Sequence, residues 1–395
     1  MVNIRVAAAA LALSLMGARG AQASALSDWT VAEPTLALGD WTATLTVNVS
    51  GAAYASDQGG GKNLAGLQAF AVLAPRLERT LPNGWQIGLK GSVLAYHDHL
   101  SGDNYGNDIV EKIYGYVQTP YGRFEMGQND GAAYSQSVTA PVVDSPVAIN
   151  DANVTFFKDP ASGAAIIGIF NLRTGVFASA NDAKFTYVSP RLEGVQLSGS
   201  YTPYQTKGPL PFANRGHHVP DRGSNMLEGN INYAAQWGDL SLQADTALAL
   251  AHDAARSAGH DNVWDWGAGL ESEYSWDDTK LSLGAAWRAS NAYTFDIQRA
   301  FRRGTTSNYD LGATLTQGAW IAGAEYESGT ADKELGLAGI RERGWQPSIA
   351  YVMNANLQWT LGYQHLHFRE GIGAFYNGKP RVGMNATYLH ANFQI

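Results

Sequence analysis

Cysteine is absent from all 395 residues, so no disulfide holds this chain together. Long apolar runs are absent too. The longest, such as Ala161 to Phe170 and Thr246 to Ala251, fall well short of the roughly 20 residues a membrane helix needs. Excess basic charge is also missing. Lys and Arg total 27 against 35 Asp and Glu, a formal charge of -8, and no basic stripe suits nucleic acid. The sequence contains no G-x-S-x-G and no H-E-x-x-H, and no glycine-rich phosphate loop follows a strand and opens a helix. No catalytic residue, cofactor or metal ligand is therefore assigned.

What is present begins with an export signal. Arg5 supplies a positive start, Val6 to Met16 is apolar, and small residues follow. Ala21-Gln22-Ala23 and Ala23-Ser24-Ala25 both fit an A-x-A cleavage site. Residues 1–25 are predicted to be a secretory signal peptide, cut after Ala23 or Ala25, because the apolar core is too short to anchor. Cleavage removes Arg5 and Arg19 but no acid, which leaves a more acidic mature chain. Residues 26–40 read as a short lead-in. No composition shift or linker divides 41–395, so that stretch reads as one domain.

From Trp41 the chain has a period of two. Trp41, Ala43, Leu45, Val47 and Val49 alternate with Thr42, Thr44, Thr46, Asn48 and Ser50. Successive side chains of an extended strand point to opposite faces, so one face is apolar and the other hydroxylated. The pattern recurs, as when Leu227 and Ile231 oppose Glu228, Asn230 and Asn232, or Trp264, Trp266 and Leu270 oppose Asp265 and Glu271. Tight turns fall at Pro82-Gly84, Pro120-Gly122, Leu192-Gly194, Trp237-Asp239, Asp277-Thr279, Gln317-Gly318 and Asn354-Asn356. Between them lie longer polar segments. Seven tight turns and eight long segments predict sixteen strands. An even number of alternating strands, with short turns at one end and long loops at the other, fits a transmembrane antiparallel β-barrel. Glycine (44 residues), aromatics (11%) and a slightly negative mean hydropathy agree with polar and apolar faces averaged together. Trp41, Trp85, Tyr121, Trp237, Trp276, Trp320, Trp345, Trp359 and Phe393 sit near strand ends, where aromatic rings are expected to form interfacial girdles.

The longest connection, residues 129–182, carries Pro141, Pro146, Asp144 and Asp151 and has no sustained period. A segment of that length needs a job inside a compact domain. Folding into the lumen as a constriction loop would be one.

EKIYGYVQTPYGRFEMGQNDGAAY (Glu111 to Tyr134) and ERTLPNGWQIGLKGSV (Glu78 to Val93) resemble two hairpins of the Gram-negative general porins. The resemblance covers essentially the whole mature chain. It implies about sixteen antiparallel strands, a homotrimer, insertion in outer-membrane lipid and lipopolysaccharide, and passive diffusion of small hydrophilic solutes. It also implies delivery by the barrel-assembly machinery through the C-terminal strand. Two departures stand out. The common PEFGGD-type loop motif is absent, and the chain ends at Ile395 rather than at a terminal aromatic, although Leu389, Ala391, Phe393 and Ile395 still alternate.

In that family, loop acids face basic residues on the wall. Carried over, the loop acids are Asp144 and Asp151, with Asp130 and Asp159 at the loop's ends. Strand parity adds Arg76, Lys90 and Lys112 on the wall. Such an arrangement sets a field across a narrow passage, and pore width and charge then govern selectivity. The negative balance predicts a mild cation preference that fades with salt. Arg123 and Glu125 share a face beside a tight turn and stay outside the candidate site, as a possible subunit contact. The pairs His97/His99 and His365/His367, and His217-His218, read as exposed rim rather than metal ligands, since zinc needs three or four ligands. Rival functions are a substrate-specific channel with Tyr114, Tyr116, Phe156 and Phe157 as an aromatic track, an outer-membrane hydrolase, and a closed structural barrel.

Overall fold

The computed structural model describes residues 31–57, 63–97, 110–149, 156–157, 174–179, 181–204, 224–252, 262–291, 305–331, 340–369 and 381–395. The signal-peptide expectation therefore lies outside the described residues. Among the described residues, seventeen strands form one sheet. In chain order they begin β1 (Thr35–Leu38), β2 (Trp41–Asp57), β3 (Asn63–Thr80), β4 (Gln86–His97), β5 (Val110–Thr119) and β6 (Gly122–Gln128). Then come β7 (Ala183–Val188), β8 (Val195–Tyr204), β9 (Ser224–Trp237), β10 (Leu240–His252), β11 (Val263–Trp276) and β12 (Thr279–Ser290). The last are β13 (Thr306–Gln317), β14 (Trp320–Ala331), β15 (Ile340–Asn354), β16 (Leu357–Arg369) and β17 (Arg381–Gln394).

From β2 onward each strand pairs antiparallel with the next, and β17 returns to pair with β2, placing Gln394 opposite Asn48 and Asn385 opposite Asp57. Sixteen strands thus close on themselves. Closure leaves no long edge, so the ladder can satisfy the backbone amides and carbonyls where no water is available. No described helix is long and apolar enough to cross a membrane; the strands do the crossing.

The seven tight turns lie where the sequence places them. Gly122, with φ of 127°, adopts a conformation that L side chains rarely reach, at the β5–β6 reversal. Alternation fixes which face meets lipid. Leu227, Ile231, Trp266, Leu270, Leu283 and Leu311 are exposed on the outside, whereas Glu228, Asn230, Asp265, Ser282 and Asp310 are buried on the inside. A soluble sandwich would bury the first set. Here burial is inverted, as an outward apolar band requires. Trp85, Tyr121, Trp237, Trp276, Trp320 and Trp359 are exposed beside or close to the turn ends of their strands, the position that interfacial rings favour.

The lead-in holds a strand that the periodicity did not suggest. β17 reaches only as far as Asn48, so the start of β2 would present a free edge. β1 covers it, with Leu38 opposite Trp41 and Thr35 opposite Thr44. Ile395 exchanges two backbone hydrogen bonds with Val47, both 2.9 Å, and Leu45 N donates to Pro34 O (3.1 Å). Asn356, in the β15–β16 turn, ties Val31 of the lead-in to Gln394 of β17. Its Oδ1 accepts from Val31 N (2.8 Å), while its Nδ2 donates to Val31 O (3.0 Å) and Gln394 O (2.7 Å).

Candidate functional site

The connection between β6 and β7 does not follow the outer surface. Its described residues lie against inward-facing side chains of the wall. It begins with a single helical turn, α1 (Ala132–Ser135), and later makes a 3-10 turn over Ser145–Val147, where Pro146 suits the first helical positions. Ala132, Ala133, Val138, Ala140, Val147, Ala148, Ile149, Phe156, Phe157, Val176, Phe177 and Ala178 are all buried. A loop with so many buried amides needs acceptors other than water.

Carboxylates on β9, β10, β13 and β14 provide them. Val138 N donates to Asp245 Oδ1 on β10 (2.9 Å), and Ala140 N to Asp310 Oδ1 on β13 (3.2 Å). Ile149 N donates to Glu325 Oε2 on β14 (3.3 Å) and Ser179 N to Glu228 Oε1 on β9 (3.1 Å). Thr174 Oγ1 donates to Asp310 Oδ2 (3.0 Å). Loop carbonyls are met by amide side chains: Gln364 Nε2 donates to Val147 O (2.7 Å), Gln358 Nε2 to Val143 O (3.2 Å) and Asn232 Nδ2 to Gln136 O (3.1 Å). At the far end Phe156 sits between Tyr54 and Tyr388, 5.1 Å from each ring. Phe157, Val147 and Ile149 pack with Ala52, Leu366 and Met384.

Space for the loop comes from glycine. A Cβ at Gly284 would meet Pro141 Cδ at 2.6 Å, one at Gly323 would meet Val143 at 2.8 Å, and one at Gly267 would meet Val176 at 2.9 Å. At Gly269 it would overlap Val138 O, and at Gly312 Pro141 O. Glycine inside a strand often marks close approach by another backbone, and here five of them make a groove on β11–β14.

The opposite arc, β3 to β6, carries a different surface. Tyr116 lies flat over Gly88, whose Cβ would come within 2.6 Å of the ring. The Arg123 guanidinium stacks 3.8 Å from the Tyr116 centroid, and Lys90 Nζ lies 5.7 Å from it. Arg123 Nε pairs with Glu125 at 2.5 Å. Arg76 Nε lies 3.3 Å from Glu78 and 3.0 Å from Thr44 Oγ1, and its Nη2 lies 3.8 Å from Glu33. Tyr116 OH donates to Glu78. Arg76, Lys90 and Arg123 thus share this arc with Glu78 and Glu125, while Glu33 approaches Arg76 from the lead-in. The arc's own charges face inward because Leu89, Ile113, Phe124 and Met126 occupy the outward positions.

With this geometry in view, the kinships of the chain are informative. A family model described as "Gram-negative porin" matches residues 7–394. The chain belongs to the Gram-negative porins. That family forms passive channels, and its place is the outer membrane. Among solved structures, the porin is similar to Salmonella typhi OmpF in complex with daunomycin, with 13% identity, 92% of this chain and 100% of that one covered, and a TM-score of 0.59. The anion-selective porin from Comamonas acidovorans gives 13% identity, 90% and 100% coverage, and a TM-score of 0.56. The trimer form of OmpT, an outer membrane protein of Vibrio cholerae, gives 12% identity, 89% and 99% coverage, and a TM-score of 0.54. At these identities the likeness concerns the fold alone. A curated phosphoglucosamine mutase from Methylibium petroleiphilum is 26% identical over 147 residues, 36% of this chain. The chain spans about a third of the length of that protein (32%), and the activity in that protein's name is not carried over.

The candidate pore residues singled out from sequence do not share one surface of the porin. Arg76 and Lys90 lie in the cationic arc. Lys112 Nζ is 2.5 Å from Asp130 Oδ2, so two of the candidates pair with each other at the loop's root. Beside them Lys184 Nζ donates to Asn129 O. Asp144 is buried, with Oδ2 2.7 Å from His390 Nδ1, and His390 Nε2 lies 2.5 Å from Ser50 Oγ. Asp151 and Asp159 lie outside the described residues, as do His99, His217 and His218. His365 Nδ1 is 2.8 Å from Asn385 Oδ1. Arg123 and Glu125, set aside from sequence, are part of the inward cluster.

Sequence reasoning missed the loop's acceptors, Glu228, Asp245, Asp310 and Glu325. A signal was available: inward parity marks each of them as lumenal. The same parity puts Gly267, Gly269, Gly284, Gly312 and Gly323 on one inner face.

Proposed function

We propose that this porin is a water-filled channel through which small hydrophilic solutes and ions cross the outer membrane by passive diffusion, narrowed by the loop over 129–182. One observation carries the reading: the loop's described residues lie inside a closed barrel, tied by their own amides to one arc, opposite an arc of Arg76, Lys90 and Arg123. In this reading Arg76 and Lys90, with Arg123 added, form the basic side of the passage, and Asp151 is the loop acid opposite them. Lys112 and Asp130, paired at the loop's root, and Asp144, buried against His390, flank the passage rather than face each other across it. A field between unlike charges in a narrow passage favours polar solutes that can align in it and penalises apolar ones that lose water.

The net charge of -8 supports a mild cation preference. Membership in the family, and a relative solved in a trimer form, support a homotrimer in outer-membrane lipid. Single-channel recordings in a KCl gradient test both points. Closure in three equal steps with a cation-selective reversal potential is expected; an anion-selective one overturns the preference. Saturable uptake of one sugar would move the porin to the substrate-specific class.

One observation favours a second reading as a hydrolase. Ser50, His390 and Asp144 stand in the order of a nucleophile, base and orienting acid, with spacings of 2.5 and 2.7 Å. All three are buried, so a substrate would have to displace the loop to reach the hydroxyl. A fluorophosphonate probe should leave Ser50 unlabelled in the folded porin. Labelling that S50A removes would favour the hydrolase.

A further inference from the structure

The inner wall of β13 and β14 carries carboxylates that diffusion through the lumen does not require. Asp310, Glu325 and Glu327 each bring one oxygen within 4.8 Å of the others, and all three are buried. Asp310 faces Glu327 across the strand pair, and Glu325 lies two residues along the same face. Asp310 and Glu325 already accept hydrogen bonds from the loop. Glu327 is fully buried, and among the described residues neither of its carboxylate oxygens accepts a hydrogen bond. Glu342, also fully buried, adds to the negative field on it.

A buried carboxylate without a donor, beside like charges, is unfavourable unless a counter-charge joins it. We propose that Asp310, Glu325 and Glu327 bind a divalent cation, Ca²⁺ in preference to Mg²⁺. The donors are all hard oxygens, which excludes soft metals. Ca²⁺ accepts oxygens at about 2.3–2.6 Å in flexible geometry, which suits three carboxylates whose oxygens lie within 4.8 Å of one another; Mg²⁺ at about 2.0–2.1 Å demands a near-ideal octahedron, which side chains already tied to the loop are less free to supply. The second Glu327 oxygen permits bidentate binding. The ion would also fix the loop, because Asp310 holds Ala140 of one limb and Thr174 of the other, while Glu325 holds Ile149. This inference stands apart from the pore's ion preference.

The test uses the whole porin, refolded without lipopolysaccharide, stripped with EDTA and titrated with CaCl₂ or MgCl₂ by calorimetry. Thermal unfolding is followed in parallel. One Ca²⁺ per chain, a midpoint that rises with Ca²⁺, and weaker Mg²⁺ binding are expected. Losing even a supporting partner of a metal site costs about 10–100-fold in affinity, so E327Q should weaken Ca²⁺ binding by at least about ten-fold while keeping the gel mobility of a folded barrel. D310N gives a second, independent reading should E327Q not fold. No Ca²⁺ bound by the wild-type chain at millimolar concentration overturns the proposal. So does E327Q binding Ca²⁺ as well as the wild type. E327Q raising the midpoint with no response to Ca²⁺ in either chain would mean that a proton supplies the neutralisation, and also overturns it.

Discussion

Two arcs of the same inner wall treat charge in opposite ways. On β9 to β14, Glu228, Asp245, Asp265, Asp310 and Glu325 are buried. Four of them receive backbone amides from the loop, and the fifth is held by Arg288, whose Nε and Nη2 donate at 2.7 and 2.5 Å. On β3 to β6, Arg76, Lys90, Arg123, Glu78 and Glu125 keep partial contact with solvent and neutralise one another over one aromatic ring. A covered charge depends on particular partners, whereas a wet one can lose a partner and be solvated instead. Substitutions on the covered arc should therefore cost stability, and those on the open arc should change conduction.

The largest effect is expected at the Arg288–Asp265 pair, whose side chains are 5% and 0% exposed. Removing one partner of a buried pair leaves the other uncompensated, at a cost of about 3–5 kcal/mol. Asp265→Ala should lower the unfolding free energy by about that amount, read from urea titration in lipid vesicles. A loss under about 1 kcal/mol would place this pair with the wet ones and break the contrast between arcs.

Next comes the groove. Gly269→Val inserts side-chain atoms where Val138 O lies, and overpacking a close contact costs about 1–3 kcal/mol. The barrel can keep its ladder while the loop yields. Faster hydrogen exchange over residues 132–149 and a larger, noisier conductance should then appear with little change in barrel unfolding. Unchanged conductance would mean that the loop does not set the pore width.

Legibility in the sequence follows the same division between local and distant causes. Side-chain direction along a strand is local, so Leu227 outward and Glu228 inward could be read without coordinates, and so could Trp266 and Asp265. Turn chemistry is local too. The strand β1 escaped because four residues are too few to show a period, and its partner edge exists only because β17 stops at Asn48. The loop's seat escaped because each contact spans a long stretch of chain: Val138 meets Asp245 107 residues away, and Asp144 meets His390 246 residues away. Strand parity identified Arg76 and Lys90 as lumenal. It gave no hint that Lys112 and Asp130 would pair, since that depends on the direction in which the loop leaves β6.

On the open arc the effect should fall on selectivity. Arg123→Gln removes a cation that shares Tyr116 with Lys90. A unit charge felt through water at about 5 Å is worth about 0.8 kcal/mol, roughly four-fold in the local concentration of each ion and so about sixteen-fold in the ratio of cations to anions. The reversal potential in a KCl gradient should move toward cations by up to that factor, with unfolding barely altered. Raising salt from 0.1 to 1 M shortens the screening length from about 10 to about 3 Å, and most of the shift should vanish. A shift that persists at 1 M would mean that Arg123 acts by shaping the passage rather than through its field.

The smallest effect should come at Lys112 and Asp130. Their 2.5 Å contact matches the distance of the Arg288–Asp265 pair, but the side chains are 31% and 17% exposed. Pairs with water at hand are worth about 0–1 kcal/mol. Lys112→Gln keeps a donor near Asp130 and should change the unfolding free energy by no more than that. The two pairs therefore form a matched test: equal separation, unequal access to water. If Lys112→Gln cost as much as Asp265→Ala, proximity alone would govern these ion pairs, and the distinction between a covered and an open arc would carry no energetic meaning.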